Sequence, residues 1–378
     1  MTATRCSAKN RRTTREMMMA VPKSTMWDIE PHTRAKHELL TRYLDAWFPI
    51  LTSWNQKVLF IDGFAGPGRY EGGEAGSPVL ATSSAHSRER MLRGSTIMFL
   101  FNEADNARYR ELESWANAAS PTLPENFDLY VANEAFVDLA QKIVDDRGEH
   151  KRLVPTFAFV DPFGFKGVPI ELISSLVRDK RSELFILFSY NAVNRWIDHP
   201  LQQKNMRDLF GCESYRDVSG FSPDERKRYL SELYAQQLRT VGKFPYVSQF
   251  EMIEKNGRTS YFLYHCTRAL KGLEVMRSAM WKIDPERGCQ FSDKVAGLLP
   301  LFEGPAVFDL EDRLMNEFRG QLVPIRRVQE FVLTGTPYAP EHLKKPTLKP
   351  MQEKGLIEVI DQKKRGTFPD RVQLYFLP

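Results

Sequence analysis

The segment Val58-Leu59-Phe60-Ile61-Asp62-Gly63-Phe64-Ala65-Gly66-Pro67-Gly68 joins an apolar run ending in an acid to a loop with glycines at alternate positions. A buried strand followed by such a loop suits the close approach of a nucleotide-like ligand, because a Cβ at Gly66 or Gly68 would keep the backbone away from it. Glu103 follows a second apolar run, where one carboxylate can accept from both hydroxyls of a ribose; Asp105 is the alternative. Asn133 and Glu134, after a third run, stand where they can meet an adenine edge. Asp161-Pro162-Phe163-Gly164-Phe165 ends a fourth. There a carboxylate, a proline that exposes carbonyls and an aromatic face can accept hydrogen bonds from an amino group and stack on its ring. Each feature also has a plainer reading: a glycine turn that only packs, acids that cap helices, and an Asp-Pro-Phe-Gly turn.

The order Asp-x-Phe-Ala-Gly-x-Gly over residues 62–68 resembles motif I of the S-adenosyl-L-methionine (SAM)-dependent methyltransferases, and it differs from the G-x-G-x-x-G of dinucleotide enzymes. Asp161-Pro162-Phe163 resembles motif IV of the amino-methyltransferases, which usually carry a second proline; the single proline here leaves the target atom open. On this reading Asp62, Phe64, Ala65, Gly66 and Gly68 hold the cofactor with Glu103, Asn133 and Glu134. Asp161 and Phe163 act on the acceptor, beside Pro162 and Asn191. Ser77-Pro78 predicts a helix start, with Ser77 as N-cap. The residues between Gly68 and Ser77 then form either a lid or a surface excursion.

These residues need a scaffold that gathers strand ends. Apolar runs flanked by turn residues predict buried strands over Val58–Ile61, Thr96–Asn102, Phe127–Ala132, Thr156–Val160 and Leu184–Ser189. Helical patterns separate them, over Val79–Leu92, Ala107–Asn117, Phe136–Asp145 and Ile170–Val177. Leu39, Leu40, Tyr43, Leu44, Trp47 and Phe48 predict an earlier helix, from Thr33 to a break at Pro49. This alternation predicts a doubly wound, Rossmann-like α/β fold with a parallel sheet covered on both faces. Tyr246–Ile253 and Thr259–His265, joined through Asn256-Gly257, predict a hairpin that closes the sheet edge. Residues 191–245 read as a helical insertion or cap; Asn194 and Trp196 are there to line a cleft or cap a helix. His37 and His265, among apolar neighbours, read as satisfied structural histidines.

Past Pro300 the pattern changes to helices over Phe308–Phe318, Ile325–Leu333 and Glu341–Gly355. Strands Leu356–Ile360 and Val372–Phe376 follow, around the basic loop Lys363-Lys364-Arg365-Gly366. Three helices and a two-stranded wing predict a winged helix-turn-helix. Lys344, Lys345, Lys349, Lys363, Lys364 and Arg365 fall where such a fold meets phosphates. Nearby acids offset much of that charge, and winged helices also dock proteins, so DNA, RNA and protein stay open as ligands.

The chain has 378 residues, 42% hydrophobic and 27% charged, which predicts a globular protein of two domains. Residues 1–25 read as a flexible basic tail, 26–299 as the methyltransferase-like domain and 300–378 as the winged helix. A net charge of +5 permits nucleic acid as partner without requiring it. Cys6, Cys212, Cys266 and Cys289 show no CxxC or Cys/His spacing, so neither a disulfide framework nor a metal site is expected, and a reducing cytoplasm fits. No run approaches the roughly 20 apolar residues of a membrane span. There is no Walker loop and no Ser/His/Asp arrangement.

Several segments together are similar to the three-Cys-motif partner protein family. They are Phe60–Gly68, Gly76-Ser77-Pro78, Val160–Gly164, Lys271-Gly272, Met280-Trp281-Lys282, Thr336-Pro337-Tyr338 and Lys354-Gly355-Leu356-Ile357. The resemblance covers roughly residues 26–378 and implies a methyltransferase-like fold associated with a radical-SAM-like protein that carries the three cysteines. The expected function is SAM-dependent methylation, with a base in DNA or RNA as the expected acceptor. The alternatives are a nucleic-acid-binding scaffold that kept the fold and lost the reaction, and a winged-helix regulator that senses SAM.

Overall fold

The computed structural model describes residues 28–147, 154–294 and 309–378. The basic tail and the boundary expected at 299/300 lie outside the described residues. Five strands, β1 (Lys57–Asp62), β2 (Thr96–Asn102), β3 (Phe127–Ala132), β4 (Thr156–Val160) and β5 (Glu183–Phe188), run parallel in the order β3-β2-β1-β4-β5. The sheet continues with β7 (Thr259–Thr267), β6 (Tyr246–Ile253) and β8 (Gln290–Ser292). β7 is antiparallel to both β5 and β6, and β8 lies parallel to β6. The hairpin forms, with Gly257 at φ 82°, but its second strand slots between β5 and β6 and the sheet extends to β8. The three residues of β8 are too few to show a period of two in sequence.

Alternating side chains of the strands feed two cores. Ile61, Ala158, Val160, Ile186 and Phe188 pack on one face against α5 (Phe136–Arg147), α6 (Ile170–Leu176) and three helices of the 191–245 region: α7 (Tyr190–Trp196), α8 (Gln203–Phe210) and α9 (Pro223–Thr240). That region therefore supplies a layer of the main core through Phe210, Leu230, Tyr234 and Leu238. Val58, Phe60, Phe157, Phe159 and Phe185 pack on the other face against α1 (Pro31–Thr52), α2 (Ser77–His86), α3 (Glu89–Leu92), α4 (Asn106–Ala119) and α10 (Leu270–Ile283), so the helix expected over Val79–Leu92 is two.

Two helix limits differ from expectation for identifiable reasons. α1 runs through Pro49 to Thr52. Proline deprives the Asp45 carbonyl of its usual donor four residues on, and the Arg88 side chain takes that place at 2.7 Å. Ser77 is the first residue of α2 rather than its N-cap; Gly76 caps without a side chain, and the Ser77 hydroxyl is left to act elsewhere.

The C-terminal residues form α11 (Leu310–Phe318), β9 (Leu322–Pro324), α12 (Ile325–Gly335), α13 (Lys349–Glu353), β10 (Ile357–Ile360) and β11 (Gln373–Phe376), with a three-stranded sheet ordered β10-β11-β9. The helix expected over Glu341–Gly355 is broken into a 3-10 turn, a π turn over Lys344–Leu348 and α13. Pro346 and Pro350 cannot donate, so Leu348 bonds back five residues to the Leu343 carbonyl and the Thr347 hydroxyl serves the His342 carbonyl. These elements share their own apolar cluster, which includes Trp281 of α10. The Trp281 indole N–H donates to the Pro337 carbonyl at 2.9 Å and its ring stacks on Tyr338. The segments Met280-Trp281-Lys282 and Thr336-Pro337-Tyr338 thus meet at one joint. Gly272 has its own reason: a Cβ there would come within 3 Å of Glu183, Thr267 and Tyr43, three side chains of a buried polar network.

Candidate functional site

Strand order reverses between β1 and β4, where an open α/β sheet places its ligand crevice outside the carboxyl ends of the strands. The loop after β1 sits there and is pinned from two neighbours: Gly63 N–H donates to the Phe159 carbonyl and Ala65 N–H to that of Asn102. Gly66 and Gly68 have φ of 62° and 84°, a backbone that side-chain-bearing residues seldom adopt. At Gly68 a Cβ would find only ordinary contact with Leu112 and Trp115, so conformation rather than space requires that glycine. Crowding acts at Gly63, where a Cβ would meet the Phe136 ring, and at Gly76, where it would meet the Gly68 carbonyl.

Asp62 is fully buried; its Oδ1 accepts from Phe64 N–H at 3.1 Å and its Oδ2 has no hydrogen-bond partner among the described residues. Burial pushes its carboxyl up to about 7, against the opposing pull of the Ser77 hydroxyl and the Phe64 N–H. Glu103, also buried, accepts from Gly66 N–H at 3.0 Å, from Asp105 N–H at 2.8 Å and from Arg108 at 3.3 Å. These bonds use three of the roughly four acceptor positions of a carboxylate. Asp105 caps α4, accepting from Ala107 and Arg108 N–H, so the capping reading holds for it. Asn133 donates to the Glu103 carbonyl, and Glu134 pairs with Lys142 at the surface. Neither lines the cavity described next, nor do Asp62 and Glu103 themselves, nor Asn191 and Asn194 on α7.

A cavity of about 440 Å³ opens at the crevice, within the usual range for small-molecule sites. Phe64–Gly68 and Asp161-Pro162-Phe163 face it together. Arg69 and Tyr70 form a further wall. They belong to a tight turn in which Arg69 bridges Ala75 and Tyr70 N–H donates to the Glu74 carbonyl. Arg108 lies 5.2 Å from the centroid of the Phe163 ring.

The rest of the wall was not foreseen. His32, Thr33, Lys36 and His37 of α1 line it, with Tyr261 of β7. Lys36 forms an ion pair with Asp161, their side chains 8% and 20% exposed. A signal existed in the sequence: Lys36 stands four, seven and eleven residues before Leu40, Tyr43 and Trp47, in register with the apolar face of α1. His32 is held between Glu30 and Asp293, each at 3.0 Å. The expectation of satisfied histidines needs correcting. His37 Nδ1 and His265 Nδ1 are buried without a partner among the described residues, although His265 Nε2 reaches Glu183 at 3.5 Å. Burial and the neighbouring Lys36 lower His37 to about 3, so it is neutral.

Six basic residues were expected to meet nucleic acid. Lys345, Lys349, Lys363, Lys364 and Arg365 are exposed, while Lys344 is half-buried and 3.8 Å from Asp370. Gln352 of α13 accepts from Gly366 N–H at 3.0 Å, which brings the basic loop against that helix.

No family model and no curated protein matches the chain. Among solved structures, human methyltransferase-like protein 13 in complex with SAH is 11% identical over 67% of this chain and 92% of its own, with a TM-score of 0.33. Precorrin-6y C5,15-methyltransferase from Geobacter metallireducens is 11% identical over 58% and 86%, at 0.27. Human methyltransferase 10 domain containing protein is 15% identical over 61% and 83%, at 0.29. The mixed α/β architecture with its large, mostly parallel sheet follows from the strand pairing itself. Among the described residues no helix is long and apolar enough to cross a membrane.

Proposed function

We propose that the chain is a SAM-dependent methyltransferase whose cofactor occupies the cavity beneath the Phe64–Gly68 loop. One observation carries this reading: two left-handed glycines after β1 and the acceptor-type Asp161-Pro162-Phe163 after β4 line a single cavity at the reversal point of the sheet. The residues fit the cofactor. Asp62 lies behind the loop rather than on the cavity wall, and its buried carboxylate oxygen without a partner among the described residues is suited to an ammonium group, while the glycines of the loop offer backbone to the cavity. Glu103 is buried off the cavity wall, and its part in this reading is to hold the loop through the Gly66 N–H.

Bound SAM supplies a methyl group already activated by positive sulfur, so alignment matters more than a strong base. The chain's own contribution is therefore orientation. Asp161, fixed by Lys36, accepts from the acceptor's amino group, and Phe163 offers a ring against which a flat acceptor can lie. We read residues 309–378, with their helices and the three-stranded sheet that β9 shares with β10 and β11, as a winged-helix domain that delivers DNA or RNA. The partner implied by the family-like segments, a radical-SAM-like three-Cys-motif protein, belongs to the same proposal.

Calorimetric titration of the purified chain with SAM and SAH, beside Asp62→Ala and Gly66→Val, tests the reading. Micromolar affinity, about −8 kcal/mol, that is lost in both folded variants supports it. A folded wild-type chain that binds neither compound overturns it in favour of a scaffold.

A further inference from the structure

We propose that Lys36 is a specificity-determining residue of the acceptor half of the cavity, admitting a neutral amino group on a flat heteroaromatic ring and turning away protonated amines. This rests on the methyltransferase reading above. Asp161 alone would be an anionic site open to any cation, including a lysine side chain of a protein substrate. Its charge is instead already matched by an ammonium inside the same wall, and both side chains are largely removed from solvent. A second ammonium brought to Asp161 would meet Lys36 at close range where screening is weak, and would give up its own hydration as well.

A neutral amino group faces no such cost. It donates to the carboxylate, while a ring nitrogen beside it accepts one of the three N–H bonds of Lys36. Flat apolar surfaces flank the pair. Phe163 is 37% exposed, and the buried Tyr261 ring lies 5.9 Å from the Lys36 ammonium. The other acids of the wall are Asp28 and Glu30, and Glu30 is taken up by His32. A merely structural role, tying α1 to the end of β4, predicts no dependence on the chemistry of the ring.

The test uses the full chain saturated with SAH and fluorescent single-stranded oligo-dC and oligo-dT of equal length. Both carry the same phosphates, but only cytosine has an exocyclic amino group beside a ring acceptor. Anisotropy is expected to show oligo-dC bound about tenfold more tightly, with a lysine-rich peptide failing to compete. Lys36→Met, which keeps the stem and removes the charge, is expected to erase the preference and let the peptide in. Equal binding of the two oligonucleotides, competition by the peptide against wild type, or an undiminished preference in Lys36→Met would overturn the proposal and leave the cofactor reading standing. Failure of the folded wild-type chain to bind SAH would overturn both.

Discussion

The carboxylate of Glu103 and the backbone N–H of Gly66 meet at 3.0 Å, so the acid that follows β2 holds the glycine loop that follows β1. The same carboxylate neutralises Arg108, whose side chain is 8% exposed. Glu103→Ala removes the loop's anchor and takes the nearer of two carboxylates from the buried Arg108, whose other acid, Asp105, stands at 4.0 Å, a loss expected to cost about 3 kcal/mol. Glu103→Gln keeps an oxygen for one N–H and is expected to fall between. Chemical denaturation of the three proteins checks the order, and a Glu103→Ala chain as stable as wild type would show that the loop is held by other means.

Gly66→Val tests conformation separately from charge. At φ 62° a β-branched residue is strained by about 1–2 kcal/mol, which a protein of this size tolerates. The loop is expected to shift to a negative φ and lose its bond to Glu103, abolishing SAH binding while the far-ultraviolet circular dichroism stays unchanged. Retained affinity would mean that the ligand does not rely on this backbone.

Asp62 makes binding depend on pH. Its carboxyl is raised from 3.8 to about 7 by burial, so the folded chain holds that proton more tightly than the unfolded chain does. Its contribution to stability is therefore full below about 4 and declines as pH rises to about 7. A ligand ammonium stabilises the ionised form, so SAH affinity is expected to increase from about pH 6 to about pH 8. In Asp62→Asn affinity should be weaker and flat over that range. A wild-type titration without slope would remove Asp62 from the ligand's contacts.

His37 acts with the opposite sign. Its folded value of about 3 lies below the ordinary 6.5, so its contribution is present above 6.5 and lost as pH falls toward 3. The loss approaches about 1.4 kcal/mol per pH unit below about pH 6. Thermal unfolding of His37→Gln should therefore show a shallower acid slope than wild type. Parallel slopes would place the acid sensitivity elsewhere.

Strand existence, the hairpin and the two site loops were legible because each leaves a local trace: an apolar run, an Asn-Gly pair, glycines beside an acid. For Lys36 the sequence shows only a lysine on the apolar face of α1, and for Tyr261 nothing; their meeting with Asp161 arises from α1 and β7 crossing near it, far away in sequence. Ser77 looked like a cap because its chemistry suits one, but the chain turned one residue earlier, at Gly76. β9 has three residues, and only its pairing with β11 makes it a strand. Asn133 fell at the expected strand end, yet its amide serves the Glu103 backbone, a choice between equal hydrogen-bond partners that sequence does not record.

The C-terminal basic residues give the last prediction. Lys363, Lys364 and Arg365 are exposed on a loop held against α13 through Gln352, and Lys349 of that helix lies beside Gly366. If this face meets phosphates, replacing the three loop residues with alanine should weaken binding to single- and double-stranded oligonucleotides alike, because backbone contacts carry no sequence information. The slope of log affinity against log salt should become shallower by up to about 3 on duplex DNA. SAH affinity should not change, since the loop contributes nothing to the cavity wall. Unchanged salt dependence in the triple variant would mean that the face docks protein, and the three-Cys-motif partner would then be the ligand to test on it.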